Sequence, residues 1–208
     1  FFLNSLIITL PTVVGTLFLS SLAGYSLAMH RFKLNLLVFA MFIAGNFVPY
    51  QILMIPVRNI SIELGMYNSH LGLIIFHIAF QTGFCTFFLR NFIKELPFEL
   101  IEAARADGAT EWTIYRKIII PLTIPALAAL GVLEFTFIWN DYFWALILTQ
   151  GDSVKPITVG LDILRGQWTT AWNLVSAGSV VAALPPVIMF FILQRQFIQG
   201  LTFGAVKG

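Results

Sequence analysis

The sequence predicts an all-α membrane protein, a polytopic bundle of five transmembrane helices, on three observations. The chain of 208 residues is 58% hydrophobic and only 11% charged, whereas a soluble domain carries about 25% charged residues. Five apolar stretches are each about 20 residues long, which is enough for a helix to cross ~30 Å of hydrocarbon. The charged residues gather in the connections between these stretches. A water-soluble monomer is therefore excluded.

The five stretches define the spans in chain order. They are Leu3–Met29, Leu34–Ile55, Leu71–Leu89, Ile118–Trp139 and Leu174–Leu193. Small residues recur at every fourth position of the first span, so we expect another helix to pack closely against that face. These residues are Thr16, Ser20, Gly24 and Ala28.

Pairs of prolines occur in the second, fourth and fifth spans. They are Pro49, Pro56, Pro121, Pro125, Pro185 and Pro186. Each proline removes a helix hydrogen bond, which is tolerated where a neighbouring helix or a water-filled cavity compensates. The prolines indicate either bent helices that line a pathway or ordinary kinks in packed spans.

If successive spans cross the membrane in opposite directions, their connections alternate between its two sides. Lysine and arginine are distributed unequally between these sides. The side that follows the first, third and fifth spans holds Arg31, Lys33, Arg90, Lys94, Arg105, Arg116, Lys117, Arg195 and Lys207, and the other side holds Arg58, Lys155 and Arg165. The positive-inside rule therefore predicts that residue 1 lies outside and that the C-terminus is cytoplasmic. The loop 90–118 is then cytoplasmic and the segment 140–173 external.

The cytoplasmic loop is predicted to fold as two short helices around a turn. Pro97 suits the first position of the first helix, and Gly108 supplies the left-handed conformation that ends it. Thr110 can cap the second helix, which continues into the fourth span. The alanines between Glu102 and the turn expose a surface of low relief. That surface suits docking of another protein, and the alternative is a helix pair that lies on the membrane interface.

The segment EAARADGATEWTIYRKIIIP resembles the EAA loop of the membrane subunits of bacterial ABC importers, which have a MetI-like transmembrane domain. The matching residues are Glu102, Ala103, Ala104, Gly108 and Pro121, with Ile120 in place of the usual leucine. The segments VPYQILMIPV, FIWNDYFWALILT and GLTFGAVKG resemble the carbohydrate-uptake branch, whose members include MalG-like subunits. That branch has an additional N-terminal span, so we expect residue 1 to be an internal start and the full chain to have six spans.

The resemblance implies one permease domain over residues 1–208 that transports a sugar or related polar solute and is not an enzyme. Its implied partners are a second, MalF-like permease subunit, two cytoplasmic ATPase subunits, an extracytoplasmic solute-binding protein and lipid. The chain has no G-x-x-x-x-G-K-[ST] loop, so we expect ATP and magnesium to be bound by the ATPase and no cofactor in this chain. The tail with Phe203 and Lys207 is expected to contact the ATPase. A net charge of +2 does not suggest nucleic acid.

Two other classes of function fit less well. An ion-coupled secondary transporter is disfavoured by the odd number of spans and by the lack of an inverted repeat between the halves. An intramembrane enzyme would need converging groups, but Cys85 and His77 share a span without a third group, and no catalytic residue is expected. The single cysteine and the scattered histidines also predict no metal site.

Polar and aromatic residues in or near the spans are candidates for the solute pathway. They are Asn46, Gln51, Glu134, Phe135, Phe137 and Asn140. A charged side chain in a span costs about 2.5–3.5 kcal/mol on insertion scales, so Glu134 either lines the pathway or pairs with a neighbouring helix or subunit. His77 has no acidic partner at helical spacing, which favours a buried structural histidine over a proton carrier.

The external segment contains a short apolar run after Asp141. It is too short to span a bilayer, so a re-entrant or interface-lying piece is expected. Trp144 in this run is interpreted as an interface anchor, with stacking on a sugar ring as the alternative. Trp168 and Trp172 are interpreted in the same way, with contact to the solute-binding protein as the alternative.

Overall fold

The computed structural model describes residues 1–166 and 170–202. Within these ranges it is built from α-helices with short connections and has no strand. The helices are α1 (Phe2–Met29), α2 (Asn35–Ala44), α3 (Met54–Glu63), α4 (His70–Lys94), α5 (Phe98–Ala106), α6 (Glu111–Ile114), α7 (Ile120–Trp139), α8 (Phe143–Leu148), α9 (Ile157–Ile163) and α10 (Trp172–Thr202). The all-α prediction is confirmed.

Four helical runs are long and apolar enough to cross a membrane. They are Phe2–Met29, His70–Lys94, Glu111–Trp139 and Trp172–Ile198. The third run includes α6, a π turn over Tyr115–Ile119 and α7. The helices extend beyond the predicted spans, since α4 continues to Lys94 and the third run begins at Glu111. The second predicted span, 34–55, corresponds to a bent pair of helices, Asn35–Phe47 and Tyr50–Glu63.

The bend in the second predicted span is one of the two outcomes that its prolines indicated. Helix α2 ends at Ala44, 3₁₀ turns occupy Gly45–Phe47 and Tyr50–Leu53, and the arms on either side meet at 90°. Pro49 explains the break, because it has no N–H to donate and disfavours the helical conformation of the preceding residue. Pro56 lies in the first turn of α3, where a missing N–H removes no helix hydrogen bond.

Contacts divide the chain into two compact units. The first contains 1–15, 48–80 and 132–192, and the second contains 16–47, 81–131 and the described residues from 193 onward. The core of the second unit joins α4 to the loop helices and to the start of α7. Its fully buried members include Cys85, Leu89, Ile93, Ile101, Ile114, Ile119, Ala126 and Leu130.

The small-residue face of the first span packs against α4, as predicted. Thr16 and Ser20 are fully buried. A Cβ atom built on Gly24 would lie 3.1 Å from the backbone nitrogen of Arg90 and 3.1 Å from the Cβ of Leu89. Because the nearest atoms belong to or adjoin the backbone of α4, the two helices can approach this closely only with glycine at position 24.

Candidate functional site

The loop between α4 and α7 forms the predicted helix pair. The first helix of the pair is α5, and Pro97 stands one residue before it rather than at its first position. Ile101 is 1% exposed and packs into the core, while Glu102 and Ala103 are exposed on the opposite side. The burial of one face holds α5 on the protein and leaves the other face open for a partner.

The turn after α5 has the geometry of a Schellman motif. Gly108 has φ +78°, its N–H donates to the carbonyl of Arg105 at 3.0 Å, and the N–H of Ala109 donates to the carbonyl of Ala104 at 2.9 Å. Thr110 then caps the second helix, because its Oγ1 accepts from the N–H of Thr113 at 3.3 Å. The predicted roles of Gly108 and Thr110 are both confirmed, and the loop has a defined shape.

The predicted EAA residues do not all lie on the same surface. Glu102, Ala103 and Gly108 are exposed, whereas Ala104 is half-buried and packs against the core. Pro121 is exposed at the second position of α7. It lies two residues after the π turn and has no N–H to donate to the carbonyl of Lys117.

Glu111 is the centre of a polar cluster that the sequence did not reveal. Its Oε1 accepts from Arg105 Nε at 2.9 Å, and its Oε2 accepts from the hydroxyl of Tyr25 at 2.5 Å. His30 Nε2 lies 3.4 Å from the same Oε2. The hydrogen bond to Glu111 raises the pKa of Arg105 above its ordinary value. Tyr25 is 86 positions from Glu111 in the chain, so no local pattern could have indicated the pair.

The pathway candidates fall into an exposed group and a buried group. Asn46, Gln51, Phe137 and Asn140 are exposed, whereas Glu134 and Phe135 are each 3% exposed. Phe135 stacks on Trp139 with ring centroids 5.6 Å apart. The first group is accessible on the surface of this chain, whereas Glu134 and Phe135 are enclosed by it.

His77 is buried and has an acidic neighbour. It is 2% exposed, and its Nε2 lies 3.4 Å from Oδ2 of Asp141. The Asp141 carboxylate also accepts the N–H groups of Trp144 and Ala145, at 3.2 Å and 3.0 Å, at the start of α8. The burial expected for His77 is confirmed, whereas its acidic partner was not expected. Its partner was missed because Asp141 lies on a different element.

In the described part of the segment 140–173, helices α8 and α9 are too short to span a membrane. Helix α8 has only six residues, as expected. Asn68 binds the chain that follows α8, because its Oδ1 accepts from the N–H groups of Gln150 and Gly151 at 2.9 Å each. The interpretation of Trp144 as an interface anchor is wrong. This side chain is 4% exposed and lies 4.2 Å from Phe76 between ring centroids, so it belongs to the core of the first unit.

Trp172 is 70% exposed, and Trp168 lies outside the described residues, as do Phe203 and Lys207. A cavity of about 320 Å³ lies between the start of α8, α9 and α10. Among its lining residues, Tyr142 donates its hydroxyl to Asp162 at 2.7 Å. This hydrogen bond raises the pKa of Tyr142, so its phenol stays protonated at neutral pH.

Comparison with known proteins identifies the family. The family of binding-protein-dependent transport system inner membrane components matches residues 17–203. The chain is a member of this family. It is therefore a permease, a transport subunit that crosses the membrane several times.

Individual relatives agree with this assignment. The permease is 36% identical over 207 residues to the arabinooligosaccharides transport system permease protein AraQ of Bacillus subtilis, covering 100% of this chain and 73% of AraQ. It is 37% identical over 206 residues to the lactose transport system permease protein LacG of Rhizobium radiobacter, covering 99% of this chain and 74% of LacG.

The fold of the permease matches a solved structure. A chain in the crystal structure of a bacterial ABC transporter involved in the import of the acidic polysaccharide alginate superposes with a TM-score of 0.83. The two chains are 24% identical, and the match covers 94% of the permease and 74% of that chain. At this identity the match supports the fold assignment, which is that of an ABC importer permease.

Proposed function

We propose that this permease forms half of the pathway of a sugar or related polar solute through a bacterial inner membrane. We further propose that the loop 90–118 couples this pathway to a cytoplasmic ATPase. The observation that carries the proposal is the shape of the loop: α5 is held by Ile101 on one face and presents Glu102 and Ala103 on the other. A fixed helix with small exposed residues is suited to dock closely in a cleft of another protein.

The names of the relatives support a carbohydrate as the solute. AraQ and LacG are named for arabinooligosaccharides and lactose, and the structural neighbour takes part in alginate import. The exposed candidates Asn46, Gln51 and Asn140 can exchange hydrogen bonds with sugar hydroxyls, and Phe137 can stack against the apolar face of a sugar ring. We propose that these four residues face the pathway and that Glu134 supports the helices behind it.

The partners follow from the same role. The permease would pair with a second, MalF-like permease subunit, two ATPase subunits that bind ATP and magnesium, and an extracytoplasmic solute-binding protein that meets the segment 140–173. Phe203 and Lys207, in a tail on the same predicted side as the coupling loop, would contact the ATPase. Membership of this family does not favour the alternative of an ion-coupled secondary transporter.

A pair of loop variants tests the coupling role. Gly108→Val places a β-branched side chain at positive φ, which costs about 1–2 kcal/mol in backbone strain, and adds bulk at the proposed contact. Glu102→Lys reverses an exposed charge on α5. We expect both variants to insert in the membrane but to retain less ATPase subunit after purification, or to lose solute-stimulated ATP hydrolysis.

The matched control is Gly65→Val. Gly65 has φ +66°, and a Cβ at either Gly65 or Gly108 would have no neighbour within 4 Å, so the two substitutions impose the same kind of strain. Gly65 precedes α4 on the opposite side of the membrane in the predicted topology, so its variant should keep the ATPase subunit. Full occupancy and unchanged stimulation in both Gly108→Val and Glu102→Lys would overturn the proposed coupling role.

A further inference from the structure

We propose that Glu111 is a positioning residue that joins the coupling loop to the cytoplasmic end of α1, so that displacement of the loop is transmitted to α1. The inference rests on the proposed function, since it assumes that the ATPase acts on α5. It goes beyond that function by naming a noncovalent connection between the loop and a helix distant in the chain.

The Glu111 carboxylate contacts three separate parts of the chain. Arg105, in the last turn of α5, donates to both carboxylate oxygens. Its Nε lies 2.9 Å from Oε1, and its Nη2 lies 3.3 Å from Oε2. Tyr25, in the last turns of α1, donates its hydroxyl at 2.5 Å. His30, just after α1, lies at 3.4 Å. Charge-assisted hydrogen bonds of this kind are shorter and stronger than neutral ones.

A second contact lies one turn further along both helices. The hydroxyls of Ser21 and Tyr115 are 2.7 Å apart in a buried position. The Tyr115 ring also stacks on Trp112, with centroids 5.3 Å apart, and lies 5.5 Å from the Tyr25 ring. Residues four apart share a helix face, so α1 and the second loop helix are attached at two successive turns.

The cluster is not required to form the loop itself. The turn after α5 is already closed by the Schellman hydrogen bonds of Gly108 and Ala109, and the second helix is already capped by Thr110. Tyr25 is 6% exposed and donates its hydroxyl to Glu111. The contact to α1 therefore adds a connection that the local loop structure does not need.

Helix α1 can carry a displacement along its length because it runs without a break from Phe2 to Met29, although Pro11 lies within it. Its first turns hold the external segment: Asn4 Nδ2 donates to the carbonyl of Lys155 at 2.9 Å, and the N–H of Ile157 donates to Ser5 Oγ at 2.9 Å. A movement imposed at Tyr25 thus has a route to the external segment that does not pass through α7.

The test uses the purified importer complex with Glu111→Gln, Tyr25→Phe and the double variant. The measurements are ATPase subunit occupancy, solute transported per ATP hydrolysed in vesicles, and the melting temperature of the complex. We expect full occupancy in each variant and a decrease of about tenfold in transport per ATP, since Tyr25→Phe removes the hydrogen bond to Glu111 and Glu111→Gln leaves it only a neutral acceptor. The double variant should be no worse than the more impaired single variant, because both substitutions act on the same contact.

Glu111→Asp and Asp152→Asn serve as comparisons. Glu111→Asp keeps the charge and should restore part of the coupling, and Asp152→Asn removes an exposed carboxylate that pairs with Lys155 at 2.8 Å and should behave as wild type. Unchanged transport per ATP in Glu111→Gln, or additive losses in the double variant, would overturn the inference. Loss of the ATPase subunit from Glu111→Gln would also overturn it, because Glu111 would then serve attachment. Failure of the proposed function is seen separately, in Glu102→Lys and Gly108→Val.

Discussion

Asp141 shows how one side chain can organise several elements. Its carboxylate accepts two backbone N–H groups at the start of α8 and lies 3.4 Å from the buried His77 of α4. Its carbonyl accepts the hydroxyl of Thr158 in α9 at 2.6 Å. Asp141 therefore links the short helices α8 and α9 to the long helix α4.

Replacing this carboxylate should destabilise the permease strongly. Asp141→Ala leaves the His77 ring and two backbone donors without their acceptor, and each buried donor left unsatisfied costs about 1–3 kcal/mol. We expect a clear decrease in the melting temperature of the purified complex, measured by loss of native fluorescence or by aggregation on heating.

The matched control for that experiment is Asp152→Ala. The Asp152 side chain is 71% exposed and pairs with Lys155 at 2.8 Å, and exposed ion pairs contribute little to stability. Its melting temperature should therefore stay close to that of wild type. Equal melting temperatures for Asp141→Ala and wild type would contradict the organising role of Asp141.

Among the elements, the break between α2 and α3 is a feature that hydropathy does not predict. The apolar run over 34–55 is long enough for a span, but hydropathy averages over a window and does not register a change of direction. Pro49 and the 3₁₀ turns on either side of it produce the 90° bend. After the bend, Tyr50 packs against Phe143 with ring centroids 4.9 Å apart.

Pro49→Ala should reduce transport. Proline in a helix interior costs about 3 kcal/mol, so its removal lowers the free energy of a continuous helix relative to the bent one and favours loss of the Tyr50–Phe143 contact. Uptake into membrane vesicles, normalised to the complex recovered, should fall severalfold. Pro56→Ala is the control, because Pro56 lies in the first turn of α3 and its replacement does not remove the bend. Equal uptake by the two variants would argue against a role for the bend.

The sequence predicts well those features that depend on neighbouring residues. The Gly108 turn and the Thr110 cap need only residues within a few positions, and the close approach at Gly24 follows from a four-residue period. The Tyr25–Glu111 and His77–Asp141 contacts join residues far apart in the chain, so the local pattern does not contain them. Trp144 was misjudged because an aromatic residue near a membrane boundary suits both an interface and a core, and only the packing of Phe76 and Tyr50 distinguishes them.

For the whole molecule, the charge distribution makes a prediction about topology. The positive-inside rule places Lys33 in the cytoplasm and Asp152 outside. Cys85 is fully buried, so a single new cysteine at an exposed position can report which side it faces. Labelling of intact cells with a membrane-impermeant maleimide should modify Asp152→Cys, and Lys33→Cys should react only after the membrane is opened. The opposite pattern would reverse the orientation.

At the same scale, α10 differs from the other long helices in its surroundings. None of the side chains in its most apolar window is buried within this chain, whereas half of those in the run Glu111–Trp139 are. Apolar side chains left uncovered by their own chain must be covered by lipid or by another chain. Helix α10 therefore contributes little to the stability of the isolated subunit, and its packing depends on what surrounds the permease in the membrane.

The π turn over Tyr115–Ile119 sets the rotational phase between the coupling loop and α7. Each residue of a helix turns the chain by about 100°, and a π turn holds one residue more than the α-helical path would use. Deleting one residue here could restore regular α hydrogen bonding, but it would swing Tyr115 away from Ser21 while Ala126 and Leu130 stayed in the core. A change of length at this point rotates the coupling loop relative to α7. We therefore expect an insertion or deletion here to be tolerated far less than one in the other connections.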